Sequence, residues 1–158
     1  MNQTTRKIFL TLFYSGLSKK APGTVGSFVA LILGMVVLNI FNIATLFLLS
    51  ILITIIAIKE INIYEKELGT HDNSEIVIDE LAGMWIALCI AGVTTDGYFM
   101  AILAFIFFRL FDIWKPSIIG RIDRDVGGGM GVMGDDVVAG VFAGLCTALV
   151  NHLIITFI

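Results

Sequence analysis

The chain has 158 residues, 58% of them hydrophobic and only 15% charged, with a formal net charge of −3. Soluble domains carry about 25% charged residues, so the composition argues against an ordinary soluble enzyme, and no nucleic acid is expected as a partner. The mean hydropathy of +0.97 fits a chain whose main solvent is lipid.

Arg6 and Lys7 precede a short apolar run at 8–14 that lacks a small-x-small cleavage site. A signal peptide needs a longer core and such a site, so this run reads as a retained segment at the membrane interface. No charged side chain occurs in 21–58. A helix needs roughly 20 apolar residues to cross the hydrocarbon core, so this stretch holds two short crossings, at 25–41 and 43–63, with Asn39 and Asn42 marking the turn. Residues 46–58 are apolar all round, unlike the striped helix of a soluble bundle. A polar loop at 64–78 leads to a third helix at 79–93. Thr94, Thr95, Asp96 and Gly97 form a turn, and a fourth helix follows at 98–114. A Gly-rich loop is expected at 115–134 and a fifth helix at 135–157. The expected fold is one all-α domain, 1–158: a polytopic membrane bundle of about five hydrophobic helices. Cys89 and Cys146 lie in apolar runs and read as small hydrophobes rather than a disulfide.

Five crossings put the N-terminus and the long polar loops on one side. All ten Lys and Arg fall there, and of the acids only Asp96 does not. The positive-inside rule makes that side cytoplasmic.

Four groups of residues on that side carry chemistry. Asp79 and Glu80 open the third helix near His71 and Asp72, and carboxylate oxygens at a helix start suit Mg²⁺. His71 reads as a solvated loop residue. Arg109 and Asp112 share a helical face three residues apart, inside or at the edge of an apolar helix where ionisable groups are costly and usually functional. Arg109 would clamp phosphate oxygens, and Lys115 would act as a point charge. Asp123, Arg124, Asp135 and Asp136 bracket Gly128, Gly129, Gly131 and Gly134, a pattern that suits a metal-plus-phosphate site with backbone N–H groups facing an anion. Gly129-x-Gly131-x-x-Gly134 matches the dinucleotide pattern but lacks the strand it requires. Thr24 and Ser27, after Pro22-Gly23, could donate to phosphate or simply cap the first helix. Asp79-Glu80-x-Ala-Gly and Asp135-Asp136-x-x-Ala-Gly also echo one another faintly, each expected to open a helix.

Together these blocks resemble the phosphatidylglycerophosphatase A family. The resemblance rests on Gly16-Leu-Ser18, Pro22-Gly-Thr-x-Gly-Ser27, His71-Asp72, Ile76-Val-x-Asp79-Glu-x-x-Gly-Met-Trp-Ile86, Phe108-Arg-x-x-Asp112-x-x-Lys-Pro116 and Asp123-Arg-x-x-x-Gly-Gly-Met-Gly-Val-Met-x-Asp-Asp-x-x-Ala-Gly140, in order. It implies a Mg²⁺-dependent enzyme that removes the terminal phosphate of phosphatidylglycerophosphate at the cytoplasmic face of the bacterial inner membrane. It implies metal-site or catalytic roles for Asp79, Glu80, Asp112, Asp123, Asp135 and Asp136, and phosphate binding by Arg109, Lys115 and Arg124. Thr24, Ser27, Gly128 and Gly129 join the phosphate-binding candidates. Ile118 stands where the family can carry a second proline and Gly127 where it can carry a histidine, so no general acid is assigned. The rival readings are a divalent-cation transporter, whose acids belong near the bilayer middle, another membrane lipid phosphotransferase, and a noncatalytic membrane subunit.

Overall fold

The computed structural model describes residues 1–69 and 73–157, and His71 and Asp72 lie outside the described residues. Every regular element among the described residues is helical. Seven α-helices run in order: α1 Gln3–Leu10, α2 Pro22–Ile40, α3 Ile43–Leu68, α4 Ile78–Ile90, α5 Tyr98–Trp114, α6 Ile118–Asp125 and α7 Gly128–Phe157, with one 3₁₀ turn at Ser15–Leu17.

The five expected hydrophobic helices are present as α2, α3, α4, α5 and α7. Three of them, α2, α3 and α7, are long and apolar enough to cross a membrane. Their outer faces carry large apolar side chains. Phe28, Ile32, Val36 and Ile40 form a stripe on α2, Leu48, Leu52 and Ile55 on α3, and Leu145, Leu149 and Leu153 on α7. Soluble monomers rarely expose so much contiguous apolar surface. α4 differs. It has 13 residues, about 20 Å of helix, shorter than the hydrocarbon core. Ten of those residues are buried, because α2, α3, α5 and α7 all pack around it.

Small residues let α4 sit there. On α2, Gly26, Ala30 and Gly34 recur every fourth residue. A Cβ on Gly34 would lie 2.6 Å from Leu88 Cδ1 of α4, and Trp85 Nε1 donates to Ala30 O at 2.9 Å. On the other side Gly83 of α4 meets Gly140 of α7 backbone to backbone. A Cβ on Gly83 would fall 2.5 Å from Asp136 O. Close approach through small residues replaces the hydrophobic drive that lipid removes. The two sequence echoes are thus the two sides of one helix crossing: Gly83 follows Glu80 by one turn, and Gly140 follows Asp136 by one turn.

Several boundaries differ from expectation, and α3 runs on to Leu68, into the polar loop expected at 64–78. The segment at 115–134 is not a Gly-rich loop, since α6 occupies Ile118–Asp125 and α7 begins at Gly128. Asp135 and Asp136 therefore sit two turns inside α7 rather than at its start. Nor does Thr24 or Ser27 cap α2, whose N-cap is Ala21 with no side-chain bond and with Pro22 in the first turn. The N-terminal segment forms α1, an 8-residue helix capped by Asn2. Phe13 and Tyr14 beyond it are exposed, with positive φ.

Candidate active site

The ends of α2, α4, α5 and α7 meet α6 at one end of the bundle. There Asp79, Glu80, Asp112, Lys115, Asp123, Asp135 and Asp136 line a cavity of about 120 Å³, together with Val126, Gly128, Gly131 and Val132. Six of its side chains are carboxylates and one is an ammonium. At short range like charges repel strongly in a partly desolvated site, so this cavity is built for added positive charge.

Behind two of its carboxylates lies Arg109. Nη1 lies 2.8 Å from both oxygens of Glu80, 2.7 Å from Asp112 Oδ2 and 3.1 Å from Ser27 Oγ. Nη2 donates to Thr24 Oγ1 at 3.2 Å. Ser27 Oγ also lies 2.6 Å from Glu80 Oε2 and 2.7 Å from Gly23 O, with one proton to give. One guanidinium thus ties α2, α4 and α5 together and aims two carboxylates. Glu80, Asp112 and Asp136 offer oxygens that all lie within 4.8 Å of one another. Hard oxygen donors at that separation suit a hard divalent cation. Arg109 Nε is buried and has no hydrogen-bond partner among the described residues.

The outer rim is organised by Lys115, which bonds Asp123 of α6 and Asp135 of α7, the latter at 2.8 Å. Burial works against its charge, but the hydrogen bonds and negative charges of Asp123 and Asp135 together outweigh it and raise the pKa above the ordinary lysine value. Lys115 therefore stays cationic. In both acid pairs the first residue accepts the N–H of the second: Asp79 Oδ1 from Glu80 at 2.9 Å, and Asp135 Oδ1 from Asp136 at 3.0 Å.

Most of the residues singled out in the sequence converge here, but with altered surroundings. Thr24 and Ser27 bond Arg109. Gly128 lines the cavity, whereas the N–H of Gly129 is taken by Asn62 Oδ1 at 2.8 Å. Arg124 does not reach the cavity; it pairs with Asp125 at 3.0 Å on the exposed side of α6. Asn62, one of several polar residues on α3, had no signal in the sequence. Gly23, read there only beside Pro22, packs so tightly on Glu80 that a Cβ would collide with Oε1.

The model of one family, phosphatidylglycerophosphatase A, matches residues 8–151. The chain belongs to the phosphatidylglycerophosphatase A family. It is 40% identical over 141 residues to the phosphatidylglycerophosphatase A of Escherichia coli K12, covering 89% of this chain and 80% of that one. It is 34% identical to the Haemophilus influenzae protein of the same name, covering 83% and 79%. A Bacteroides thetaiotaomicron protein with the provisional name phosphatidylinositol-3-phosphatase is 36% identical over 91% of this chain and 92% of its own. No solved structure matches the chain. Family membership makes this chain a phosphatase, and the match spans all the elements that build the cavity.

Proposed function

We propose that this chain hydrolyses the terminal phosphate monoester of phosphatidylglycerophosphate, with Mg²⁺, to give phosphatidylglycerol and inorganic phosphate for phospholipid biosynthesis. The observation that carries this reading is the cavity itself: six carboxylates and one ammonium at the polar end of an apolar bundle, where a lipid head group lies. The concentration of Lys and Arg at that end supports a cytoplasmic orientation in the bacterial inner membrane.

Glu80, Asp112 and Asp136 would hold the ion, with Asp123 and Asp135 close by. Mg²⁺, when bound, supplies charge neutralisation at the phosphoryl oxygens and lowers the cost of deprotonating water. Arg109 orients Glu80 and Asp112. Lys115 places a fixed positive charge on the rim, where the phosphoryl group gathers negative charge. Attack by water breaks the P–O bond to the head-group glycerol. The water proton goes to a cavity carboxylate, with Asp79, outside the three-carboxylate group, placed to take it, and passes to the departing glycerol oxygen, which leaves as the alcohol. An aspartyl-phosphate route is the competing chemistry; a phosphoprotein trapped by rapid acid quench during a single turnover would mark that route, and its absence the direct one.

The deciding experiment is phosphate release by purified protein in detergent, with Mg²⁺ or with EDTA. Release that requires Mg²⁺ is expected, and a folded sample that releases none ends the proposal. Phosphatidylinositol 3-phosphate belongs in the same assay, because the Bacteroides relative's name points to it; faster turnover of that lipid would reassign the substrate. A transporter is disfavoured because the acids gather at one end of the bundle rather than at its middle.

A further inference from the structure

We infer that Asn62 is a positioning residue for the carboxylates of α7, an inference that rests on the phosphatase reading above. A helix start leaves its first N–H groups without partners inside the helix. The residue before α7 is Gly127, which has no side chain to accept them. Asn62 does so from α3: its Oδ1 takes the N–H of Gly129 at 2.8 Å. Gly128 adopts a left-handed φ of +68°, and a Cβ there would lie 2.5 Å from the same oxygen. One turn earlier on α3, the backbone of Ile58 meets Gly129, where an added Cβ would lie 2.9 Å from Ile58 Cα. Ile58 and Asn62 are four residues apart, so one face of α3 grips the first turn of α7.

That grip fixes more than an end. Gly129 and Asp136 are seven residues apart, close to two full helical turns, and both are buried. They share a face, so holding Gly129 against α3 sets the rotation that brings Asp136 toward Glu80 and Asp112. Slipping α7 by one residue would swing Asp136 by about 100°.

The test compares Asn62→Leu, which removes the acceptor at similar volume, with Asn62→Asp, which keeps it. Asn62→Leu is expected to raise the Mg²⁺ concentration for half-maximal phosphate release by about tenfold and to lower kcat, with the lipid KM unchanged, as outer residues that orient metal ligands do. Asn62→Asp is expected to stay within about threefold of the natural chain on the same measures. Where Leu disturbs packing, Asn62→Ala is expected to match it in direction. Hydrogen exchange at the Gly129 amide, read without metal or substrate, should be slow in the natural chain and Asn62→Asp and fast in Asn62→Leu. That readout stands apart from the phosphatase assignment, which fails only if the natural chain releases no phosphate. An unchanged Mg²⁺ dependence in Asn62→Leu, equal loss in Asn62→Leu and Asn62→Asp, or exchange that does not change would each overturn the inference.

Discussion

Two arginines, Arg6 buried and Arg109 half-buried, stand at the same end of the molecule with opposite charge balances. Arg6 bonds Glu60 and Glu67 at 2.8 and 2.7 Å, and the N-terminal amine lies 3.7 Å from Glu60. Two cations meet two carboxylates, and that cluster is complete as it stands. Arg109 also holds two carboxylates, but Asp79, Asp123, Asp135 and Asp136 crowd the cavity beside it, with Lys115 the one cation lining it among the described residues. Burial alone therefore does not separate a structural ion pair from a reactive site, and the sign of the unbalanced charge does. The Arg6 cluster anchors α1 to α3, whereas the Arg109 cluster borders an excess of carboxylate that suits an added cation.

The comparison can be broken at several points. The largest effect is expected from Asp136→Asn, which should cut phosphate release by at least about a hundredfold, the scale for removing a group that organises transition-state charge. The same variant should lose the rise in thermal midpoint that Mg²⁺ gives the natural chain, since a ligand stabilises only the state that binds it. Near-full activity would remove Asp136 from the site. Next is Arg109→Lys, which keeps the charge but cannot span Glu80 and Asp112 from one planar group; about a tenfold loss in kcat is expected. Arg6→Met should lower the thermal midpoint while leaving kcat and Mg²⁺ dependence unaltered, and a kinetic defect at full stability would erase the distinction drawn between the two clusters. The smallest effect is expected from Arg124→Ala. Its partner is an exposed neighbour, so turnover should stay within about twofold, as surface ion pairs contribute little; a large loss would bring Arg124 back to the substrate.

The chemistry was legible in the sequence where helical spacing alone brings residues together. Arg109 and Asp112 meet because three residues nearly complete a turn. The single-sided placement of Asp79, Glu80, Asp135 and Asp136 follows from counting apolar segments. The glycines were misread because glycine is among the poorest helix formers, and composition alone makes 128–134 a loop. Contacts from α3, made by Ile58 and Asn62 far away in sequence, turn those residues into the opening of α7. Ser27 and Thr24 were ambiguous for a related reason: their hydroxyls answer a guanidinium on α5 that no local pattern reveals.

α4 is too short to be held by lipid alone and is enclosed by its neighbours, yet it supplies Asp79 and Glu80. α7 supplies Asp135 and Asp136 and closes the packing around α4 at Gly83. The cavity therefore exists only where α4 and α7 are docked, and loosening the Gly83–Gly140 crossing would dismantle the site without touching a carboxylate.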